Sequence, residues 1–538
     1  MWKTKVFLSA LAIVGFLMAI PGFAQNTNSA NLRGTVTDAK GAVVVGATVT
    51  MKDVDKDITT VFVTDKAGLY DTNSIVPDQY LVTISAPGFK TFVRGPITLG
   101  VGVDTLNAQL QVGGVQEQVI VTTDLPLLGT ESGSQTESLE AKTMSELPQY
   151  GSDWQNFVFL IPGAQFSYRS GQVAEINGNL PYNSVLSDGA TTSLPMSTNS
   201  DVTIFEATSE VKVDANAFSA QYGLGGIIFN QITKGGGDKF HGSAYEYFQN
   251  TALNAADYSL AGKNTVAFQR YDNYGFTVGG PVLIPHMKKD LFFYFAFDNT
   301  YSNGGSGNTV MSVPTDAMRQ GDFTGLPTIF DYKTQVLTYD GAGAHTVRQS
   351  FADEYGQGNK LPSSYISPLM QQFQKFYPEP NVTSGTITHA NGLPWNNYST
   401  NVPNLGPVKK FFGRVDYTPF ANHRFTVSET ESDAPGVSYG NGKELCPINC
   451  QSQDVSRDNA QISDVWTINA HMVNEARFGF TDQLNYFSPF SQGQGYPTKM
   501  GIKWAIADAI PQVDLMTLSG LGEPSNSVYK ELDRKSVV

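Results

Sequence analysis

The sequence predicts a mainly β protein, and three observations carry that expectation. With 52 Gly, 24 Tyr and 33 Phe among 538 residues and only 16% charged, the composition suits strands, turns and polar loops better than helical bundles. Apolar and polar residues alternate with a period of two along several runs of the second half, as a strand between two unlike environments requires. Gly, Pro, Asn and Asp punctuate those runs at turn positions. The length exceeds one compact domain and fits two or three. A formal net charge of −14 argues against a nucleic-acid surface, and no basic cluster reverses it. No apolar run of about 20 residues follows the N-terminus, so no transmembrane helix is expected. Membrane barrel strands need only about 10 alternating residues and escape that criterion.

In order, residues 1–24 read as a secretory signal: Lys3 and Lys5 precede the apolar stretch 6–20, and Gly22-Phe23-Ala24 supplies the cleavage pattern. The mature chain is expected to begin at Gln25, and without a cysteine there no lipid anchor is expected. Residues 25–112 read as a small β-sandwich with strand candidates at 32–38, 47–52, 58–64, 80–86 and 103–110. Turn residues separate them, and Val82 and Ile84 against Thr83 and Ser85 give one buried face. The spacing Asp53, Asp55, Asp57 suggests a calcium loop, but Ile58 and Thr64 stand where Gly and Glu are needed, so a solvated turn is expected. Gly113 and Gly114 end the sandwich, and residues 113–124 form a linker carrying Glu117, Gln118, Val119, Ile120, Val121 and Thr122. That β-prone run offers an edge able to recruit another chain's sheet.

Residues 125–236 read as a lumen-filling domain: a helical turn at 143–147 stopped by Pro148, an apolar inward segment at 154–162, turns at Asn177-Gly178 and Asp188-Gly189, and a β-prone run at 202–213. A buried-looking strand at 226–233 then meets Gly235, Gly236 and Gly237. Glycine tolerates positive φ, so this triplet is expected to turn the chain sharply between two packing environments.

Residues 237–538 read as a partial transmembrane barrel with long outer loops. Alternating strands are expected at 240–249, 271–279, 291–299, 411–417, 424–430, 463–469 and 473–482. Tyr274, Phe276 and Val278 share one side opposite Asn273, Gly275 and Thr277; Phe411, Val415 and Tyr417 oppose Arg414 and Asp416. Residues 301–407, rich in Gly, Pro, Asn and Ser, read as a long loop with short helices near 314–320 and 368–376. Plugged barrels use about 22 strands, so an incomplete barrel and an N-terminal fragment are expected. Cys446 and Cys450, in Cys-Pro-Ile-Asn-Cys, suit a local disulfide in an exported chain; a metal site would need four ligands, and no His is near. No Gly-x-Ser-x-Gly, His-Glu-x-x-His or phosphate-binding Gly-x-x-x-x-Gly-Lys occurs and the six His are scattered, so neither an enzyme nor a cofactor is expected.

The run through Glu206, Val211, Tyr222-Gly223, Gly225-Gly226, Thr233-Lys234-Gly235 and Phe240-His241-Gly242-Ser243 resembles the plug-to-barrel junction of TonB-dependent outer-membrane receptors, the Oar-like subgroup most of all. Phe276 to Pro281, Val313-Pro314-Thr315 and Arg319 to Phe323 fit the same family. Gly34 to Asp38, Gly41-Ala42, Gly46-Ala47, Gly68-Leu69-Tyr70 and Gly88-Phe89 resemble the carboxypeptidase-regulatory-like module, a sandwich with a carbohydrate-binding-like fold. The resemblance implies outer-membrane lipid around the barrel, the sandwich in the periplasm, and a TonB-box role for Glu117 to Thr122 toward a TonB-type energy-coupling protein. It implies import of a bulky nutrient (siderophore, glycan or peptide) bound outside; the alternative is a surface-binding or adhesion protein that uses the barrel as an anchor. The aromatic terminal residue usual in such receptors is missing from the closing Ser536-Val537-Val538.

Overall fold

The computed structural model describes residues 29–113, 118–121, 135–147, 154–165, 175–176, 183–192, 203–216, 227–255, 269–284, 290–382, 387–388, 393–403, 407–420, 422–438, 450–469, 472–505, 508–511, 513–515, 518–521 and 527–537. The secretory signal at 1–24 lies outside them.

The N-terminal domain is a sandwich of two sheets. Its strands are β1 (Ala30–Asp38), β2 (Thr48–Asp53), β3 (Thr59–Val63), β4 (Leu69–Asp71), β5 (Asp78–Ser85), β6 (Thr91–Leu99), β7 (Gly102–Thr105), β8 (Ala108–Leu110) and β9 (Gln118–Val121). One sheet runs β4-β1-β7 with β8 also on β1; the other runs β3-β2-β5-β6-β9. The register sets Val82 opposite Met51 and Ile84 opposite Val49. Those four join Leu32, Val36, Leu99 and Leu110 in a dry core, each large side chain contributing about 1.5–3 kcal/mol. The tight turns are where glycine is needed: Gly41 and Gly68 have φ of 86° and 70°, and each donates its N–H to an aspartate carbonyl three residues earlier, Asp38 and Asp65.

Against expectation, the sandwich sheet does not stop at Gly113. Strand β9 pairs in parallel with β6, Phe92 opposite Val119 and Val93 opposite Ile120. The β6 edge would otherwise leave main-chain groups unpaired, and a β-prone run nearby in sequence satisfies them.

A middle domain follows. Strands β10 (Gln135–Glu140), β11 (Asn183–Ser187), β12 (Ala190–Thr191), β13 (Thr208–Asn216) and β14 (Ile227–Thr233) form one sheet in the order β10-β13-β14-β11-β12. Helix α1 (Ala141–Glu146) and a 3-10 turn at Trp154–Leu160 cover it. Trp154 and Phe157 turn inward as their segment's apolar character requires, and Trp154 lies 5.8 Å from Phe229, centroid to centroid. Strand β14 is buried along its whole length.

The second half is one long antiparallel sheet: β15 (His241–Asn250), β16 (Gln269–Pro281), β17 (Leu291–Met311), β18 (Tyr398–Pro403), β19 (Pro407–Phe420), β20 (His423–Ser438), β21 (Gln451–Asn469), β22 (Met472–Pro489) and β23 (Ser527–Val537). Its path is β15-β16-β17-β19-β20-β21-β22-β23, with β18 on the far end of β17. All seven expected strands are present. Most run beyond the expected bounds, and β18 and β23 are additions.

This wall is built inside out. On β16, Tyr274 and Phe276 are 48% and 45% exposed while Asn273 and Thr277 are buried. On β20, Thr426, Ser428, Thr430 and Ser432 are buried and Val427 is 47% exposed. Connections alternate in length: 282–290, 421–422 and 470–471 at one end, 251–268, 312–406, 439–450 and 490–526 at the other. Outward charge returns at Glu429 and Glu431, where β20 climbs toward its long connection; Glu246 on β15 is an outward charge nearer mid-strand.

The stretch expected as a long loop with two short helices carries both of them and is more folded than expected, with a third helix at 351–355. Helices α2 (Asp316–Arg319), α3 (Phe351–Tyr355) and α4 (Pro368–Gln374) form within it, capped by Thr315, Ser350 and Ser367. Met311, Val313, Phe373, Tyr377 and Tyr398 share a core with Met500, Ile502 and Ile510. Two long connections therefore make one outer cap, with apolar residues scattered too widely in sequence for periodicity to show them.

Candidate functional site

The inner face of the wall holds the middle domain by a polar cluster. Alternation on β19 sends Phe411 and Val415 outward, so Arg414 and Asp416 must point in. Arg414 grips Asp416 with two parallel bonds, Nε to Oδ2 and Nη2 to Oδ1, both 2.9 Å. Its third nitrogen reaches the middle domain: Nη1 donates to the carbonyl of Thr233 at 3.0 Å and to its hydroxyl at 2.9 Å, and lies 3.6 Å from Asp188 Oδ2. Asp188 sits in the turn after β11 with φ of 46°. It accepts the Thr233 N–H at 2.9 Å and hydroxyl at 2.5 Å. From the wall, Gln461 Nε2 donates to Asp188 Oδ2 at 3.2 Å, and Thr426 donates to Asp416 Oδ1 at 2.8 Å.

Every charge in this cluster is buried and answered, as buried charge requires. Removing one partner of such a pair costs about 3–5 kcal/mol. The planar fork is what lets one cation serve both bodies; a lysine could not do so.

A second contact lies along β15 to β17. Glu206 of the middle domain accepts the Tyr247 hydroxyl, and its carbonyl accepts the Tyr294 hydroxyl at 3.3 Å. Behind them, Asp298 accepts from Tyr245 at 2.9 Å and from Asn273 at 2.8 Å. A third contact is the Thr481 hydroxyl donating to the Thr191 carbonyl at 3.2 Å.

The triple glycine joins the two bodies, and its physical reason differs from the expected one. None of Gly235, Gly236 and Gly237 is among the positive-φ glycines. What they supply is closeness. A Cβ at Gly235 would lie 2.9 Å from Asp416 Oδ2, at Gly236 2.3 Å from the Phe293 carbonyl, and at Gly237 2.8 Å from the Asp55 carbonyl.

Of the TonB-box-like run, Gln118, Val119, Ile120 and Val121 form β9 at the outer edge of the sandwich sheet; Glu117 and Thr122 lie outside the described residues. Cys450 is disulfide-bonded, and the chain has one other cysteine, Cys446, outside the described residues. The segment expected as a solvated turn is a turn, but its first carboxylate is buried: Asp53 is 3% exposed, and its Oδ1 accepts the N–H groups of Asp55 and Lys56 at 3.0 and 2.8 Å. Lys56 pairs with Asp78, and Lys52 pairs with Asp57 at 2.6 Å. Burial pushes the Asp53 carboxyl up to about 6, against the pull of Lys56. Burial likewise lowers Lys234 and raises Glu210.

The sequence reading placed Asp188 in a turn and Arg414 and Asp416 on one strand side, without joining them. The available signal was an Arg-x-Asp pair inside a strand whose other face is aromatic.

A sheet with aromatics outside, hydrogen-bonded polar groups inside and connections alternating short and long is a membrane β wall, since only hydrocarbon accepts that outer face. The chain belongs to the outer membrane beta barrel domain family, which residues 232–536 match; residues 31–111 match the carboxypeptidase regulatory-like domain. It is an outer-membrane protein. It is 26% identical over 325 residues to the TonB-dependent transporter Oar of Myxococcus xanthus, covering 56% of this chain and 29% of that one. It is similar to a siderophore receptor from Acinetobacter baumannii (14% identity, 74% of this chain and 44% of that one, TM-score 0.38). It is also similar to a ferric enterobactin receptor variant from Pseudomonas aeruginosa (12% identity, 75% and 45%, TM-score 0.37).

Proposed function

We propose that the chain is part of a TonB-dependent receptor that imports a bulky nutrient across the outer membrane, with the middle domain as its plug. The observation that carries this reading is the polar cluster of Arg414, Asp416, Asp188 and Thr233. A barrier fixed for good would favour an apolar seam. One held by charge-assisted hydrogen bonds can part when water enters, because water replaces each bond. The polar inner wall supports passage of a hydrated solute. The run 117–122, with the sandwich in the periplasm, is where a TonB-type partner would pull.

Purified TonB C-terminal domain should capture the full chain. Val119→Pro with Val121→Pro should abolish capture, because proline removes main-chain donors from the added strand. No capture by the parent chain would sink the import reading. A surface-binding role is favoured by one observation: the cap carries a hairpin, Val336–Asp340 with Gly343–Val347, exposed on both faces, with Tyr339 at 73%. Capture failure together with retained cell-surface binding of an external glycan or protein would support that role.

A further inference from the structure

Two contacts and one charge attraction seat the sandwich at the short-connection end of the wall. The Asp238 N–H donates to the Asp55 carbonyl at 2.7 Å, and Gly237 leaves just enough room for that carbonyl. The Val101 N–H donates to Glu210 of the middle domain, whose carboxylate lies so close to Gly100 that a Cβ there would be 3.0 Å from both oxygens. Lys56 pairs with Asp53 and Asp78 inside the sandwich and is attracted from the wall by the charge of Asp416. The sandwich thus touches both bodies that bound the passage, near the cluster that holds them together. Its sheet also ends in β9, the strand from which the chain continues into the middle domain.

We infer that the sandwich is a second barrier, an autoinhibitory stopper that covers the short-connection mouth and must leave its seat before the passage opens. The seat is suited to release. It uses a main-chain hydrogen bond, a single N–H to a carboxylate and the attraction between Lys56 and Asp416, and the contact is formed by loops of the sandwich rather than by its core. Lifting it uncovers polar groups and leaves the sandwich core of Leu32, Val49 and Val82 intact. A barrel that moved only its middle domain would still discharge its cargo against this domain. The inference rests on the import reading for the need to open, so its test reads contact and access instead of uptake.

The experiment uses the full chain in outer membranes. A main-chain hydrogen bond brings residues 55 and 238 within disulfide reach, so Asp55→Cys with Asp238→Cys should cross-link on mild oxidation while neither single variant does. A maleimide should react more slowly with Asp238→Cys, half-buried at the seat, than with Lys239→Cys, its exposed neighbour, if the seat is closed most of the time. Gly237→Val, which drives a side chain at the Asp55 carbonyl while leaving every residue of the sandwich unchanged, should bring the two rates together. Membranes with an energised coupling partner should show a lower cross-link yield than membranes without one. Equal maleimide rates at 238 and 239 in the parent chain would overturn the seat. An unchanged cross-link yield, in a chain that the coupling domain does capture, would overturn the stopper and leave the import reading standing. Absence of capture reports on the import reading alone.

Discussion

Strand β5 of the sandwich and strand β20 of the wall alternate with the same period and opposite sign. On β5, Tyr80, Val82 and Ile84 are buried and Thr83 and Ser85 half-buried. On β20, Thr426, Ser428, Thr430 and Ser432 are buried and Val427 faces out. Period two says that a strand divides two environments; it does not say which of them is wet. In the sandwich, water lies outside and removal of apolar area from water holds the sheets together. In the wall, hydrocarbon lies outside, so the hydrophobic effect no longer pulls inward. Cohesion there falls to main-chain ladders and to hydrogen bonds among inward side chains.

Four changes sharpen or break that contrast. The largest effect is expected from Arg414→Ala, which strands Asp416 and Asp188 in a buried site and should cost about 3–5 kcal/mol, read as unfolding of the full chain in detergent. A loss under about 1 kcal/mol would show that water already screens the cluster. Leu32→Ala, in the sandwich core, should cost about 2–5 kcal/mol, and hydrogen exchange should place that loss in the sandwich and not the wall. Phe276→Lys on the outer wall should cost about 2–4 kcal/mol at mid-bilayer depth. Val61→Lys on the sandwich, 56% exposed, should stay within about 0.5 kcal/mol. Equal costs for these two would mean that water, not lipid, bathes Phe276.

A further effect concerns pH. Asp53 has a folded-state value of about 6, above the usual 3.8, so the folded chain binds this proton more tightly than the unfolded one. Stability contributed here is present below the unfolded value and is lost as pH rises from about 4 to about 6, by up to about 1.4 kcal/mol per pH unit. The groups facing it are Lys56, Asp78 and the N–H groups of Asp55 and Lys56. Asp53→Asn should flatten that slope in thermal melts at a pH series; an unchanged slope would assign it elsewhere.

These contrasts also explain what could be read in the sequence. Wall strands were legible where hydrocarbon demands an apolar face, as at Tyr274, Phe276 and Val278. They were illegible where strands rise beyond it. In β21, Gln451 to Ala460 reads Gln-Ser-Gln-Asp-Val-Ser-Arg-Asp-Asn-Ala, polar on both faces, so only its final third was anticipated. Strand β23, Ser-Val-Tyr-Lys-Glu-Leu-Asp-Arg-Lys-Ser-Val, was missed for the same reason. The cluster residues were each visible, but Asp188 and Arg414 are far apart in sequence and no local pattern links them. The attachment of β9 to β6 was hidden because a parallel neighbour needs no turn between the two strands to announce it.

The glycine triplet has a mechanical consequence. At Gly236 and Gly237 the nearest atoms are main chain of the wall and of the sandwich, and at Gly235 a carboxylate tip. Surfaces that meet without side chains carry no knobs to interlock, so one can slide past another with no rotamer to flip and no methyl group to squeeze through. Such a joint behaves as a plain bearing, free to turn yet tightly fitted, and a single added methyl at Gly236, 2.3 Å from the Phe293 carbonyl, would be grit in it.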